Sequence, residues 1–232
     1  MFAIGWAMPA SDVCRESVET FNKLADRYAA KYFALTKYDR FYAMLADRMP
    51  TGGSVIDIAC GPGNVAAHLK RVRPDLSVVG IDMAPRMIDE ARRRVPDVAF
   101  HVADCREITG VGCGFHGAAF AFGLSYLPNA DAPRFFAALR RVLADDAFLL
   151  LTSVTGPEGA ARYEQSSSGD RVFMVYRSPD AIVELVESHG FSVEFCEQMP
   201  SPGNASVATT DLAILAKRVP ASAASTSDDE AG

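Results

Sequence analysis

The segment Val55-Ile56-Asp57-Ile58-Ala59-Cys60-Gly61-Pro62-Gly63-Asn64 places a carboxylate inside an apolar run and two glycines directly after it. Glycines at a strand-to-helix turn let the backbone approach a ligand closely, and a helix N-terminus presents free N–H groups to negative charge. Asp57 stands four residues before Gly61, where a nucleotide-binding strand ordinarily carries an apolar residue. A buried carboxylate has a use there only if a cation or a donor meets it. A second acid, Asp82, closes the run Val78-Val79-Gly80-Ile81-Asp82, 25 positions after Asp57. At the end of a second parallel strand a carboxylate can accept from both hydroxyls of a ribose. The spacing Gly61-x-Gly63-x-x-Ala66 also satisfies a loose dinucleotide pattern, so the glycines alone leave the cofactor open. The two acids favour a ligand that carries both a ribose and a cationic group.

Elements to position these residues are legible on either side. Short apolar runs read as buried strands at 54–59, 77–82, 98–103, 117–122 and 147–153, alternating with helical patterns at 65–71, 85–94 and 133–143. Such alternation implies a parallel sheet covered on both faces. The stretch from Phe100 to His116 has little helical pattern. Upstream, Val18, Phe21, Leu24, Ala25, Tyr28 and Tyr32 recur at helical spacing, and a second amphipathic stretch runs from Tyr38 to Met49. Together these two read as a helical cap. Downstream of 153 a Gly- and Ser-rich segment precedes a strand candidate at 171–177. Ser178 and Pro179 then open a helix that ends at Gly190. Two last strand candidates, 191–196 and 211–217, flank the turn-rich Pro200-Ser201-Pro202-Gly203-Asn204, which makes them antiparallel neighbours.

Three segments in order, V-I-D-I-A-C-G-P-G-N, V-V-G-I-D-M-A-P-R-M-I-D-E-A and V-A-D-C, resemble the successive motifs of the class I S-adenosylmethionine-dependent methyltransferases. The resemblance covers about residues 50–155, and 211–217 fits that family's last strand. It implies a Rossmann-like α/β fold: a seven-stranded, mostly parallel sheet with an antiparallel last strand, helices on both faces and the N-terminal helical cap. The expected division is a cap at 1–50, a cofactor-binding domain at 51–219 with a substrate-side insertion at 154–177, and a disordered tail at 220–232. S-adenosylmethionine would be the cofactor and S-adenosylhomocysteine its product.

The resemblance also implies roles. Asp57 and the backbone from Ala59 through Cys60 and Gly61 to Gly63 would hold the methionine part. Asp82 would take the ribose, Met83 and Met87 the adenine, and Asp104 the adenine amino group with Cys105 beside it, although Met87 also fits core packing and Asp104 a turn after a strand. The segment containing Phe122, Leu124, Ser125 and Tyr126 would lie along the sulfur and open to the acceptor. Many relatives carry histidines near Ser125-Tyr126, and this chain has none there, which removes the obvious general base. His116 falls at the far end of that strand. Acceptor contacts are expected from Tyr126 and from Tyr28 and Tyr32 of the first helix, although the latter two also fit that helix's apolar stripe. Asp145-Asp146 stands where the family usually has a Pro-Gly-Gly turn, remote from the chemistry.

Composition narrows the partners. With 23 Lys and Arg against 29 Asp and Glu the net charge is -6, which disfavours a nucleic-acid substrate, since such binding rests on neutralising phosphates. The basic clusters at 70–73 and 92–94 fall at helix ends, where cations complement the dipole. Five cysteines without a C-x-x-C pair suggest reduced thiols, no metal and a cytoplasmic protein. No secretory signal or membrane span is expected, and the protein is expected as a monomer or homodimer. The function expected is methylation of N or O in a small organic molecule. The alternatives are a non-catalytic S-adenosylmethionine-binding protein and an NAD-dependent oxidoreductase.

Overall fold

The computed structural model describes residues 14–165, 169–202 and 209–220. Expectations for residues 1–13, for Gly203-Asn204 and for the tail beyond Pro220 lie outside the described residues. The helices are α1 (Cys14–Tyr32), α2 (Asp39–Arg48), α3 (Asn64–Val72), α4 (Pro85–Arg94), α5 (Ala132–Val142) and α6 (Pro179–Ser188). The strands are β1 (Ser54–Ile58), β2 (Ser77–Asp82), β3 (Ala99–Val102), β4 (Phe115–Ala121), β5 (Leu143–Thr155), β6 (Ala161–Gln165), β7 (Arg171–Val175), β8 (Phe191–Pro200) and β9 (Thr210–Arg218).

Seven strands form one sheet in the order β3-β2-β1-β4-β5-β9-β8. Neighbours from β3 to β5 pair in parallel, and β9 runs against both β5 and β8. The continuous apolar runs become central strands because both faces are covered. On one face α2, α3 and α4 bury Phe41, Leu45, Leu69 and Ile88; on the other α5 and α6 bury Phe135, Phe136, Leu139 and Ile182. Gly80 of β2 is a packing requirement: a Cβ there would stand 2.4 Å from the Phe100 ring. The helix at 179 starts as its residues dictate, with the Ser178 hydroxyl accepting from the Ala181 N–H at 3.2 Å and Pro179 in the first turn.

Differences from the sequence reading have physical causes. β5 begins at Leu143 because the backbone rejoins β4 before the turn, and pairing then skips from Leu143 to Phe148 with Asp146 at φ 62°. β6 and β7 form a separate antiparallel hairpin. β6 is exposed along most of its length, so it has no apolar run to announce it. The basic clusters end α3 and α4 and are used internally. Lys70 donates to the Pro74 and Leu76 carbonyls, Arg92 to the Phe100 carbonyl, and Arg93 and Arg94 pair with Glu90. No helix among the described residues is long and apolar enough to cross a membrane.

Candidate functional site

The C-terminal ends of β1, β2 and β4 and the first residues of β9 meet at one end of the sheet's strands, roofed by α1. Polar contacts tie α1 to its supports: Ser17 Oγ accepts from the Phe173 N–H at 2.7 Å, and Asn22 Oδ1 accepts from the Arg86 N–H at 2.8 Å. Beneath it lie two open cavities. Six residues line both: Tyr28, Ala59, Gly61, Ala121, Phe122 and Tyr126. They form the waist of one two-lobed cleft.

The turn after β1 has the backbone the glycines suggest. Ala59, Gly61 and Gly63 all take positive φ, at 52°, 53° and 89°. Gly61 faces open space, its nearest neighbour for an added Cβ being Tyr28 at 4.0 Å. Asp57 is fully buried; its Oδ2 accepts from the Ala66 N–H at 3.2 Å in the first turn of α3, and its Oδ1 has no partner. Burial outweighs that one hydrogen bond and pushes the Asp57 carboxyl up to about 8. Asp82 accepts from the Gly61 N–H at 2.9 Å through Oδ2 and from the Ala84 N–H at 2.8 Å through Oδ1. Its pKa is also raised by burial.

In the first lobe Asp82 is joined by Met83, Met87, Asp104 and Cys105. Asp104 is already engaged: Arg106 donates to it through Nε, Nη2 and its own backbone N–H, at 2.7 to 3.0 Å, while Arg106 Nη1 reaches Asp131 at 2.7 Å. The carboxylate is held in a fork whose cation also lines the lobe. The second lobe holds Asp57, Cys60, Tyr32, Tyr38 and Tyr42, with Asp211 at the head of β9.

Two of the residues expected at the cofactor stand elsewhere. Leu124 is fully buried in the core on the α5 side, with its carbonyl accepting from Arg177 at 2.9 Å. The 3-10 turn Gly123–Tyr126 points Tyr126 into the cleft and Leu124 away from it. Gly63 lines neither lobe; it starts α3 and packs on Phe100, Ala91 and Val95 at 3.3–3.4 Å from the position of a Cβ. Ser125 also turns inward, bonded to Ser153 Oγ at 3.1 Å. His116 sits at the opposite end of β4, with Nδ1 3.1 Å from the Ser54 N–H.

Several lining residues went unnoticed in the sequence. Tyr38 donates to Asp211 Oδ2 at 2.6 Å, and Ser201 donates to Asp211 Oδ1 at 2.6 Å. Asp211 is 1% exposed. Burial and Asp211 hold the Tyr38 phenol well above its ordinary pKa. One signal was available: Tyr28 and Tyr32, then Tyr38 and Tyr42, are two pairs spaced by one helical turn in and at the start of consecutive helices.

The description "Methyltransferase domain" belongs to a family model that matches residues 55–146. Demethylmenaquinone methyltransferase of Thermotoga maritima is 29% identical over 209 residues, 75% of this chain and 88% of that one. Among solved structures, the complex of DhpI with SAH superposes with a TM-score of 0.69 at 21% identity, covering 92% of this chain and 100% of that one. The Burkholderia thailandensis 1,6-didemethyltoxoflavin-N1-methyltransferase superposes with a TM-score of 0.66 at 17% identity, covering 92% and 93%. The two superpositions show a shared fold.

Proposed function

Because the chain belongs to the class I S-adenosylmethionine-dependent methyltransferases, we propose that its two-lobed cleft holds S-adenosylmethionine across the waist and a small organic acceptor in the second lobe. The observation that carries the assignment is Asp57 Oδ1, a fully buried carboxylate oxygen without a partner on the wall of the cleft. An uncompensated charge is costly there, and the ammonium of the methionine part supplies the missing donors. Asp82, held by two backbone N–H groups, keeps lone pairs free for ribose hydroxyls. Met83 and Met87 offer soft apolar surface for adenine, with Asp104 and Cys105 closing that lobe. Gly61 and Ala59 leave the backbone bare where the ligand passes, and Phe122 with Tyr126 stands at the waist.

The bound sulfonium supplies a methyl group already activated for displacement. Much of the remaining work of the chain is alignment and exclusion of water, and positioning of this kind can contribute ~7–11 kcal/mol. Tyr28 and Tyr126 line both lobes and fix the passage between them; Tyr32 extends the acceptor wall. The acceptors named for the relatives, a demethylmenaquinone and a didemethyltoxoflavin, are small organic molecules and support the same class here. We further place the enzyme in the cytoplasm, as a monomer or homodimer acting on a free small molecule without nucleic-acid or membrane partners.

Calorimetric titration tests the donor site directly. S-adenosylhomocysteine is expected to bind at one site per chain while NADH gives no heat. Binding of NADH with none of S-adenosylhomocysteine would overturn the assignment.

A further inference from the structure

The second lobe is chemically one-sided. Five of the seven tyrosines in the chain line it: Tyr28, Tyr32, Tyr38, Tyr42 and Tyr126. Its charged residues are Asp57, at the end next to the glycine turn, and Asp211, at the head of β9. No lysine, arginine or histidine lines it among the described residues. The undescribed segments 1–13, 166–168, 203–208 and 221–232 contain none of these three residue types in their sequence. Nearby cations are committed elsewhere. Lys37 donates to the Pro200 carbonyl, and Arg177 donates to the Leu124 and Leu127 carbonyls. Lys31, exposed, rests 4.8 Å from the Tyr32 ring centroid without lining the lobe.

Aromatic faces carry negative potential and attract a cation placed over them. Asp211 is buried, and although Tyr38 and Ser201 each donate to one of its oxygens, each oxygen retains a lone pair. With Asp57 engaged by the donor's ammonium, an anionic acceptor in the same space would face the Asp211 carboxylate and the tyrosine rings with no lysine, arginine or histidine of the lining to offset them. We propose that the acceptor is an organic amine, received as its ammonium between the tyrosine rings and Asp211, so that this enzyme methylates nitrogen. The proposal rests on the donor assignment above and refines it to a substrate class.

The transfer balances with the groups present. The bound ammonium gives one proton to the Asp211 carboxylate, which exposes the nitrogen lone pair. A nitrogen–carbon bond forms as the sulfur–carbon bond breaks, and the bonding pair leaves on sulfur as a neutral thioether. The product is an N-methylammonium, and Asp211 returns its proton to solvent as that product departs. Asp211 therefore supplies the base that the absence of histidine from the Ser125-Tyr126 segment left unassigned.

The test uses three probes that share a benzyl group and differ in its polar head, on the full chain saturated with S-adenosylhomocysteine: benzylammonium, benzyl alcohol and phenylacetate. Binding is followed by ligand-observed NMR, a readout that needs no turnover. The cation is expected to bind at least about tenfold more tightly than phenylacetate, with the alcohol between. In Asp211→Asn that preference is expected to fall to about threefold or less, with affinity for S-adenosylhomocysteine unchanged. With labelled donor, methyl transfer is expected to a set of primary and secondary amines and not to matched carboxylic acids. Phenylacetate binding as well as the cation, or methylation of acids only, would overturn the amine assignment and leave the donor site standing. Failure of S-adenosylhomocysteine to bind would overturn the donor site itself. The wild-type probe series does not depend on the variant folding.

Discussion

Replacing Asp57 with Asn isolates the energetic cost of holding an unpaired carboxyl beneath α3. Burial moves this carboxyl from 3.8 to about 8. Below pH 4 the folded and unfolded chains both carry the proton, and no difference arises. Between pH 4 and 8 the unfolded chain has released a proton that the folded chain keeps, so stability falls as pH rises. Above pH 8 both are ionised and the loss is constant. Each unit in that window is worth about 1.4 kcal/mol, so by pH 7 the ceiling is about 4 kcal/mol. Asn keeps an oxygen to accept from the Ala66 N–H and carries no proton to release. Urea unfolding of wild type and Asp57→Asn without ligand, at pH 5, 6, 7 and 8, should show the variant gaining relative stability across the series. Its affinity for S-adenosylhomocysteine should meanwhile drop at least about tenfold. A stability difference that is flat with pH, or that shrinks as pH rises, would refute the assignment of an orphaned carboxyl at Asp57.

Three further outcomes follow from named contacts. Asp82→Ala removes the acceptor for the Gly61 and Ala84 N–H groups and is expected to weaken S-adenosylhomocysteine by about tenfold or more. The circular dichroism spectrum should be unchanged, and equal affinity would remove Asp82 from the site. Gly80→Ala places a Cβ against the Phe100 ring and should cost about 1–3 kcal/mol in urea unfolding, with partial recovery in the double variant carrying Phe100→Leu. Arg177→Met strips two buried carbonyls, on Leu124 and Leu127, of their donors and should cost about 2 kcal/mol or more. Because those carbonyls flank Tyr126, acceptor affinity should fall while S-adenosylhomocysteine affinity changes little; a wholly silent substitution would show that Arg177 does not position the turn.

The lining proposed for the donor stands out in the sequence because its residues are close together and their types are unusual for their places. A carboxylate inside Val55–Ile58 and another closing Val78–Ile81 contradict the apolar pattern around them, and such contradictions mark candidate sites. The lining of the second lobe does not stand out, for the opposite reason. Tyr38 and Tyr42 fit an amphipathic stripe, and Asp211 at the start of a strand reads as an ordinary boundary residue. Only the sheet order brings them within one cavity. The fork between Asp104 and Arg106, two residues on, leaves no trace in the sequence, because a pairing of near neighbours has no period. Leu124 and Tyr126 are two residues apart, and a tight turn sent one into the core and the other into the cleft; spacing alone does not separate them.

The sheet order has a consequence for synthesis. β9, the last of its strands to leave the ribosome, lies between β5 and β8 rather than at a margin. Until Thr210–Arg218 emerges, β5 and β8 have no partner between them, and β5 is a long apolar strand with an unpaired edge. Such an edge is a template for pairing with another chain. Closure then joins residues far apart in sequence, a slow class of contact. A nascent chain halted before Thr210 would therefore hold the cleft acids Asp57 and Asp82 but lack the Asp211 wall, with two adhesive edges open to its neighbours.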